Sequence, residues 1–251
     1  MLTAAAGLST LLFVLVGAAV GLRLTALAWR TRETAESLLG PSLFVLVGVG
    51  YPLLMVGRFI SEQGGETGPM TMVCGLASMS VGWSLMGVFT WRVFRPVAGW
   101  AGAAVGVSCL VFVGCLVGSV MRALAIGHPQ DAVMPTAPEI VLQMNAMALY
   151  LWTAAESLHY HTLLRKRLAL GLVSPVVANR FLLFGVLMVF AATSTAAPLF
   201  GSVMGIDPMG DARILLVVAA SGSTATVALF LAFLPPKAYV ARLEARARPI
   251  A

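Results

Sequence analysis

The residues best placed to do chemistry lie between positions 143 and 161, where Gln143, Asn145, Glu156, His159 and His161 interrupt an otherwise apolar stretch. Polar and ionisable side chains at membrane depth are costly to bury, so they mark functional positions by default. Glu156-x-x-His159 has the i, i+3 spacing that puts a carboxylate and an imidazole on one helix face, as in the di-iron sites of helical bundles. Such a site needs matching carboxylates from other helices, and no other acid falls inside an apolar block. His161 points about 200° away from His159 on a helix. Glu156 also stands about two turns before Arg165. It therefore reads as an ion-pair anchor for Arg30, Arg32 or Arg180, in preference to a metal or proton site.

Small hydroxyls form a second set: Ser78, Ser80 and Ser84; Thr193, Ser194 and Thr195; Ser221, Ser223, Thr224 and Thr226. Such groups either line a polar cavity or bond back to carbonyls of their own helix. Residues 193–195 precede Pro198, whose missing N–H frees a carbonyl about one turn back. A broken, hydroxyl-rich segment is expected there, and with it a ligand pocket. Pro52 marks the equivalent bend, beside Gly48, Gly50 and Tyr51. Trp83 and Trp152 would wall the pocket or serve in packing. The expected pocket comprises Tyr51, Pro52, Ser80, Trp83, Thr193, Ser194, Thr195, Pro198 and Ser223. The expected polar or ion-pair site comprises Asn145, Glu156, His159, Arg30 and Arg180.

Several chemistries are excluded by residue type. A retinal Schiff base needs a lysine within the last helix, but the only lysines, Lys166 and Lys237, stand at the ends of apolar blocks. Haem bridging needs histidines paired at one depth, and His128 falls at the opposite end from His159 and His161. Cys74, Cys109 and Cys115 lack metal or disulfide spacing and read as small packing residues. No nucleophile–base pair or phosphate-binding motif is present, so no cofactor is expected and an enzyme is disfavoured.

The elements that must position these residues follow from hydropathy. Hydrophobic residues make up 59% of the chain, charged residues only 10%, and mean hydropathy is +0.94. A soluble domain carries roughly 25% charged residues. The apolar residues fall in seven blocks, 4–28, 38–60, 70–94, 98–121, 140–163, 177–200 and 212–234, each near the ~20 residues that cross a bilayer as a helix. Helices are required because lipid satisfies no backbone hydrogen bond. The first block lacks a basic flank and is too long for a signal-peptide core, so it reads as a retained helix. The expected fold is all-α: one polytopic seven-transmembrane-helix domain over 1–236, followed by a short basic tail over 237–251.

Thirteen of the sixteen basic residues fall on one side of this arrangement, leaving Arg58, Arg122 and Arg213 on the other. That bias puts the basic side in the cytoplasm and the N-terminus outside, in a multi-pass protein of the inner (cytoplasmic) membrane. The net charge of +6 is thus topological, and no nucleic-acid partner is expected. Glu62, Glu66, Asp131, Glu139, Asp207 and Asp211 lean to the outside. The loop from Arg122 to Glu139, with His128, Pro129, Pro135 and Pro138, is long enough to cap the outer mouth. On the fourth helix Gly102, Gly106, Gly114 and Gly118 suggest a close-packing stripe, read as internal packing or as a homodimer or membrane-partner seam. Gly17 and Gly21 repeat the spacing on the first helix.

Two triplets of helices, in 1–96 and 139–236 with the fourth helix as linker, share features of a parallel repeat. Each has basic residues after its first helix, a proline in its second (Pro52, Pro198), and Pro-Met before its third (Pro69-Met70, Pro208-Met209). This layout resembles that of the SWEET and PQ-loop sugar and amino-acid carriers, without their Pro-Gln pair; the one Pro-Gln here, Pro129-Gln130, falls in a loop. The segments from Gly21 through Arg30-Thr-Arg-Glu33, Phe94-Arg95-Pro96, and Arg165 through Asn179-Arg180-Phe181 resemble a family of uncharacterised bacterial seven-helix membrane proteins. That resemblance carries no activity. The leading expectation is a protein that binds or transports an unidentified small molecule through a pocket among helices 2, 3, 6 and 7. The alternatives are a receptor-like sensor signalling through a partner and a structural subunit of a membrane complex.

Overall fold

The computed structural model describes residues 2–125, 128, 136–206 and 210–247. Pro129, Gln130, Asp131, Pro135, Asp207, Pro208, Met209 and Arg248 lie outside the described residues, as does the side chain of Arg246. Within them every regular element is a helix: α1 (Leu2–Thr31), α2 (Thr34–Glu62), α3 (Gly68–Phe94), α4 (Gly99–Ala125), α5 (Ala137–Ala169), α6 (Pro175–Val203), α7 (Ala212–Phe233) and α8 (Lys237–Ala247).

Local chemistry sets where these helices begin and stop. Thr136 and Glu139 form a reciprocal capping box at the head of α5, satisfying two amides that have no helical partner. Asp211 Oδ1 accepts from the amides of Arg213 at 2.8 Å and Ile214 at 3.2 Å to open α7. Gly171 and Gly205, both at φ +70°, take the left-handed conformation that ends α5 and α6 with back-bonds to Arg167 and Gly201.

Six helices, α1, α2, α3, α4, α6 and α7, are long and apolar enough to cross a bilayer. Seven were expected. The remaining one, α5, is the longest at 33 residues, but its polar residues and basic end dilute its apolar character. The chain reads as a multi-pass membrane protein.

Consecutive helices pack together from α1 to α7, and α7 closes back onto α1, while α3 also lies against α5. The central position belongs to α3: 56% of its apolar window is buried, against 22–33% for the other five. Its Trp83, Met86 and Phe89 meet Phe112, Leu142, Tyr150 and Phe184 in the core. The outer faces of α1 and α4 stay apolar, with Leu8, Leu15, Leu110 and Val113 exposed. Such surfaces fit lipid rather than water.

Glycines govern the tightest contact, between α2 and α3. Gly50 and Gly57 on one helix face Gly68, Gly75 and Gly82 on the other, at a spacing of seven. A Cβ on Gly75 would stand 2.6 Å from the Leu54 amide nitrogen, and one on Gly57 2.5 Å from that of Met72. Gly17 and Gly21 of α1 likewise admit Val47 and Phe44 of α2.

The stripe expected on α4 divides. Trp91 covers Gly102 and Pro138 covers Gly118, whereas nothing lies within 4 Å of a Cβ placed on Gly106 or Gly114. A spacing of four drifts about 40° per step on a 3.6-residue helix, so these positions wind around α4 rather than along one face.

Candidate functional site: a crevice among α1, α2, α6 and α7

The polar residues of α5 do not gather into one site. Asn145 Nδ2 donates to the Ser108 carbonyl at 3.1 Å, and Ser108 Oγ donates to Asn145 Oδ1 at 3.1 Å, which ties α5 to α4. The hydroxyls of Thr90 and Thr153 meet at 2.7 Å between α3 and α5. Glu156 is paired by Arg95, whose Nε lies 2.8 and 3.0 Å from the two carboxylate oxygens. Trp152 Nε1 also donates to Glu156, at 3.3 Å.

The partner of Glu156 is therefore Arg95, not Arg30, Arg32 or Arg180. The reason is packing: α3 lies against α5, so the arginine at the end of α3 reaches the acid. Arg180 is drawn instead to α7, donating from Nε to the Ala232 carbonyl at 3.1 Å with its guanidinium 5.9 Å from the Phe233 ring. Arg30 and His159 are exposed. His161 Nδ1 binds the Ala178 carbonyl at 2.8 Å. Among the described residues no group of three histidines, cysteines or acids could hold a metal ion.

The hydroxyls of Thr193 and Thr195 also behave differently from expectation. The helix α6 is unbroken through Pro198. Thr193 Oγ1 donates to the Val189 carbonyl and Thr195 Oγ1 to that of Ala191, each at 3.0 Å. Ser80 Oγ bonds the Leu76 carbonyl within α3. Ser223 Oγ donates at 3.2 Å to Ser9 Oγ, which donates to the Ala219 carbonyl, fastening α1 to α7. Trp83 is buried, donating from Nε1 to Tyr150 Oη at 2.8 Å and stacking on Phe112.

The real irregularity is in α2. Residues Phe44–Gly50 form a π-helical turn, and the Tyr51 amide donates to the Leu46 carbonyl, five residues back. Pro52 comes immediately after. Its ring crowds the carbonyl four residues earlier and it offers no N–H, and a wider turn relieves that crowding while shifting the register of the rest of the helix. Tyr51 and Pro52 thereby face α1, α6 and α7.

There they line a cavity of about 460 Å³, with Gly7, Thr10, Pro198 and Val218 among its walls. Of its twelve lining residues only Thr10 and Tyr51 carry polar side chains, and Thr10 Oγ1 is bonded to the Ala6 carbonyl. Leu11, Met55 and Val56 on its rim are 40–53% exposed, so the cavity opens sideways toward the lipid face. Thr10, Tyr51 and Val218 also line a smaller inner space of about 40 Å³, bounded by Tyr150, Ser194, Gly222 and Ala225.

Of the nine expected pocket residues the structure brings together four: Tyr51, Pro52 and Pro198 around the larger space, and Ser194, with Tyr51, at the smaller. Ser80, Trp83, Thr193, Thr195 and Ser223 lie elsewhere. The enclosing helices are α1, α2, α6 and α7, so α1 takes the place expected of α3. Sequence reasoning missed Thr10, Tyr150, Val218 and Gly7. For Tyr150 a signal existed: like Tyr51 it falls in mid-span, away from the interfacial belts where tyrosines concentrate.

A further space, of about 180 Å³, lies at the other end of the bundle between Leu24, Glu36, Phe89, Arg180 and Phe233. Comparison of the chain with protein-family models, with curated proteins and with solved structures gives no match.

Proposed function

We propose that this is a seven-span protein of the cytoplasmic membrane that binds, and in the fuller form of the proposal carries, a small solute in the crevice among α1, α2, α6 and α7. The crevice carries the reading. Its volume of about 460 Å³ falls in the range of small-molecule sites, and its walls are mostly apolar with few polar groups, as such sites require.

Counting α5 as the seventh span rests on its length and on its being enclosed by α3, α4 and α6. In lipid its polar groups need partners, and Asn145, Thr153 and Glu156 have them. Placing the N-terminus outside rests on the thirteen basic residues assigned to one side. Contacts at that end join helices far apart in sequence: Arg23 and Arg180 bind the last carbonyls of α7, and the rings of Phe94, Tyr160 and Phe181 pack edge-on or tilted against one another. The parallel three-helix repeat gains support from Pro52 and Pro198, the paired prolines of the two triplets, which wall the same cavity.

The test uses Gly7→Phe. Gly7 lines the cavity and a Cβ there meets nothing within 4 Å, so a larger side chain starts without a backbone clash and is placed to narrow the crevice. Protein purified in lipid nanodiscs is extracted and its small molecules are compared by mass spectrometry. The expected result is an apolar compound, enriched over empty discs, that the wild type retains and Gly7→Phe lacks. Identical extracts would end the binding proposal. Liposome uptake of the identified compound then separates a carrier from a binding protein.

A further inference from the structure

Three hydroxyl groups at the inner end of the crevice lack the back-bond that most hydroxyls of the bundle make. Unlike Ser119 Oγ of α4, also unpaired among the described residues, they share one chamber. Ser84, Thr90, Thr193, Thr195, Thr224 and Thr226 each donate to the carbonyl four residues earlier. Tyr150, by contrast, is only 4% exposed and uses its oxygen to accept the Trp83 indole N–H at 2.8 Å. Its own proton remains to be donated. Among the described residues that proton has no acceptor, and neither Tyr51 Oη nor Ser194 Oγ has a hydrogen-bond partner. Tyr51, Tyr150 and Ser194 all line the inner space of about 40 Å³.

A buried donor without an acceptor is costly. Two phenol protons converging on one chamber define the complement they lack, which is a hydrogen-bond acceptor. Among the described residues no charged side chain lines the chamber or the larger cavity. A carboxylate or phosphate head would lose its hydration there with no counter-charge to replace it. The acceptor is therefore neutral. The space leading to it is walled by apolar residues and opens between Leu11, Met55 and Val56, whose exposed faces fit lipid.

Building on the reading of the crevice as a ligand site, we propose that its ligand is a membrane-dissolved lipophile ending in a neutral carbonyl, as in a quinone or a fatty ester. The carbonyl oxygen accepts from Tyr150 and Tyr51 in the inner chamber. The apolar body lies between α1, α2, α6 and α7, and the ligand enters from the bilayer. Trp83 is a positioning residue: its N–H occupies a lone pair of Tyr150 and so directs the phenol proton toward the chamber.

The test uses the full chain in nanodiscs and three probes of matched length, 2-decyl-1,4-benzoquinone, methyl dodecanoate and dodecylbenzene. Apparent affinity is read from the rise in thermal unfolding midpoint with probe mole fraction. The wild type is expected to bind at least one carbonyl probe roughly tenfold tighter than dodecylbenzene, and the stronger of the two identifies a quinone or an ester as the source. Tyr150→Phe and Tyr51→Phe should each weaken that carbonyl probe about three- to tenfold, the range of one lost hydrogen bond, and leave dodecylbenzene unchanged. Among the described residues Tyr51 Oη holds nothing, so Tyr51→Phe serves even if Tyr150→Phe folds poorly. Equal binding of all three probes, unaffected by either substitution, would overturn carbonyl recognition while leaving the crevice as a site. If no probe binds, or if all bind Gly7→Phe as well as the wild type, the crevice reading itself falls and this proposal with it.

Discussion

The two halves of the bundle put their most prominent polar groups to different uses. Among α3, α4 and α5, Asn145 meets Ser108, Thr90 meets Thr153, and Glu156 meets Arg95 and Trp152. Among α1, α2, α6 and α7, the hydroxyls of Tyr51 and Ser194 and the proton of Tyr150, which reaches in from α5, face open space. The first half has the residues that look most like chemistry and uses them to hold helices together. The second half has ordinary residues and keeps donors in reserve. Trp91 Nε1 and Ser119 Oγ in the first half are also buried without partners among the described residues, but Ser119 borders a space of only about 10 Å³. What distinguishes the site is open hydrogen-bonding groups beside a sizeable cavity, not polarity.

The difference can be broken most severely at the glycine seam beside it. Gly75→Ala puts a Cβ 2.6 Å from the α2 backbone, which cannot yield as a side chain could. A loss of about 3 kcal/mol is expected from such overpacking, measured by denaturant unfolding in detergent. A loss below about 0.5 kcal/mol would show that α2 and α3 are not in this contact.

Glu156→Ala comes next. It strands the Arg95 guanidinium and the Trp152 N–H, at an expected cost of about 2 kcal/mol. A double-mutant cycle with Arg95→Ala should recover a coupling of about 1 kcal/mol, moderated because the Arg95 side chain is 44% exposed. A cycle with Arg180→Ala in place of Arg95 should show none.

The two tyrosines sharpen the comparison. Tyr150→Phe leaves the Trp83 N–H without its acceptor and is expected to cost about 1 kcal/mol. Tyr51→Phe removes a hydroxyl that bonds nothing among the described residues and should stay within about 0.5 kcal/mol of the wild type, measured in the same unfolding assay without added ligand. Equal losses would mean that Tyr51 belongs to the structural network. The smallest change is expected at Gly106→Ala and Gly114→Ala, both neutral within about 0.5 kcal/mol in the monomer. A shift in oligomeric state by sedimentation for either would reveal a seam between copies.

Helical class and the apolar spans were legible because a backbone in lipid has one way to satisfy itself without edges, and the blocks are long enough to show it. Pro52 and Pro198, which both line the larger cavity, stand out in the sequence because proline removes a donor wherever the helix runs. The partner of Glu156 was not legible. Any of several arginines at the same end has the reach, and only the packing of α3 on α5 selects Arg95. Thr193 and Thr195 turn back to their own helix while Ser194 between them lines the inner space, a difference invisible in sequence because back-bonding and pocket-lining hydroxyls look alike. The α4 glycines wind around the helix because a spacing of four is not its period, which leaves Gly102 and Gly118 covered and Gly106 and Gly114 open. The α2–α3 seam had a readable signal, glycines seven apart on both helices, which keep to one face far better than glycines four apart.

The most direct test is an experimental density map of the chain in a lipid nanodisc. The account expects non-protein density that runs from the bilayer past Leu11 and Met55 and ends against Tyr51 and Tyr150. A crevice closed by its own side chains, with the Tyr51 hydroxyl bonded to a helix carbonyl, would contradict it.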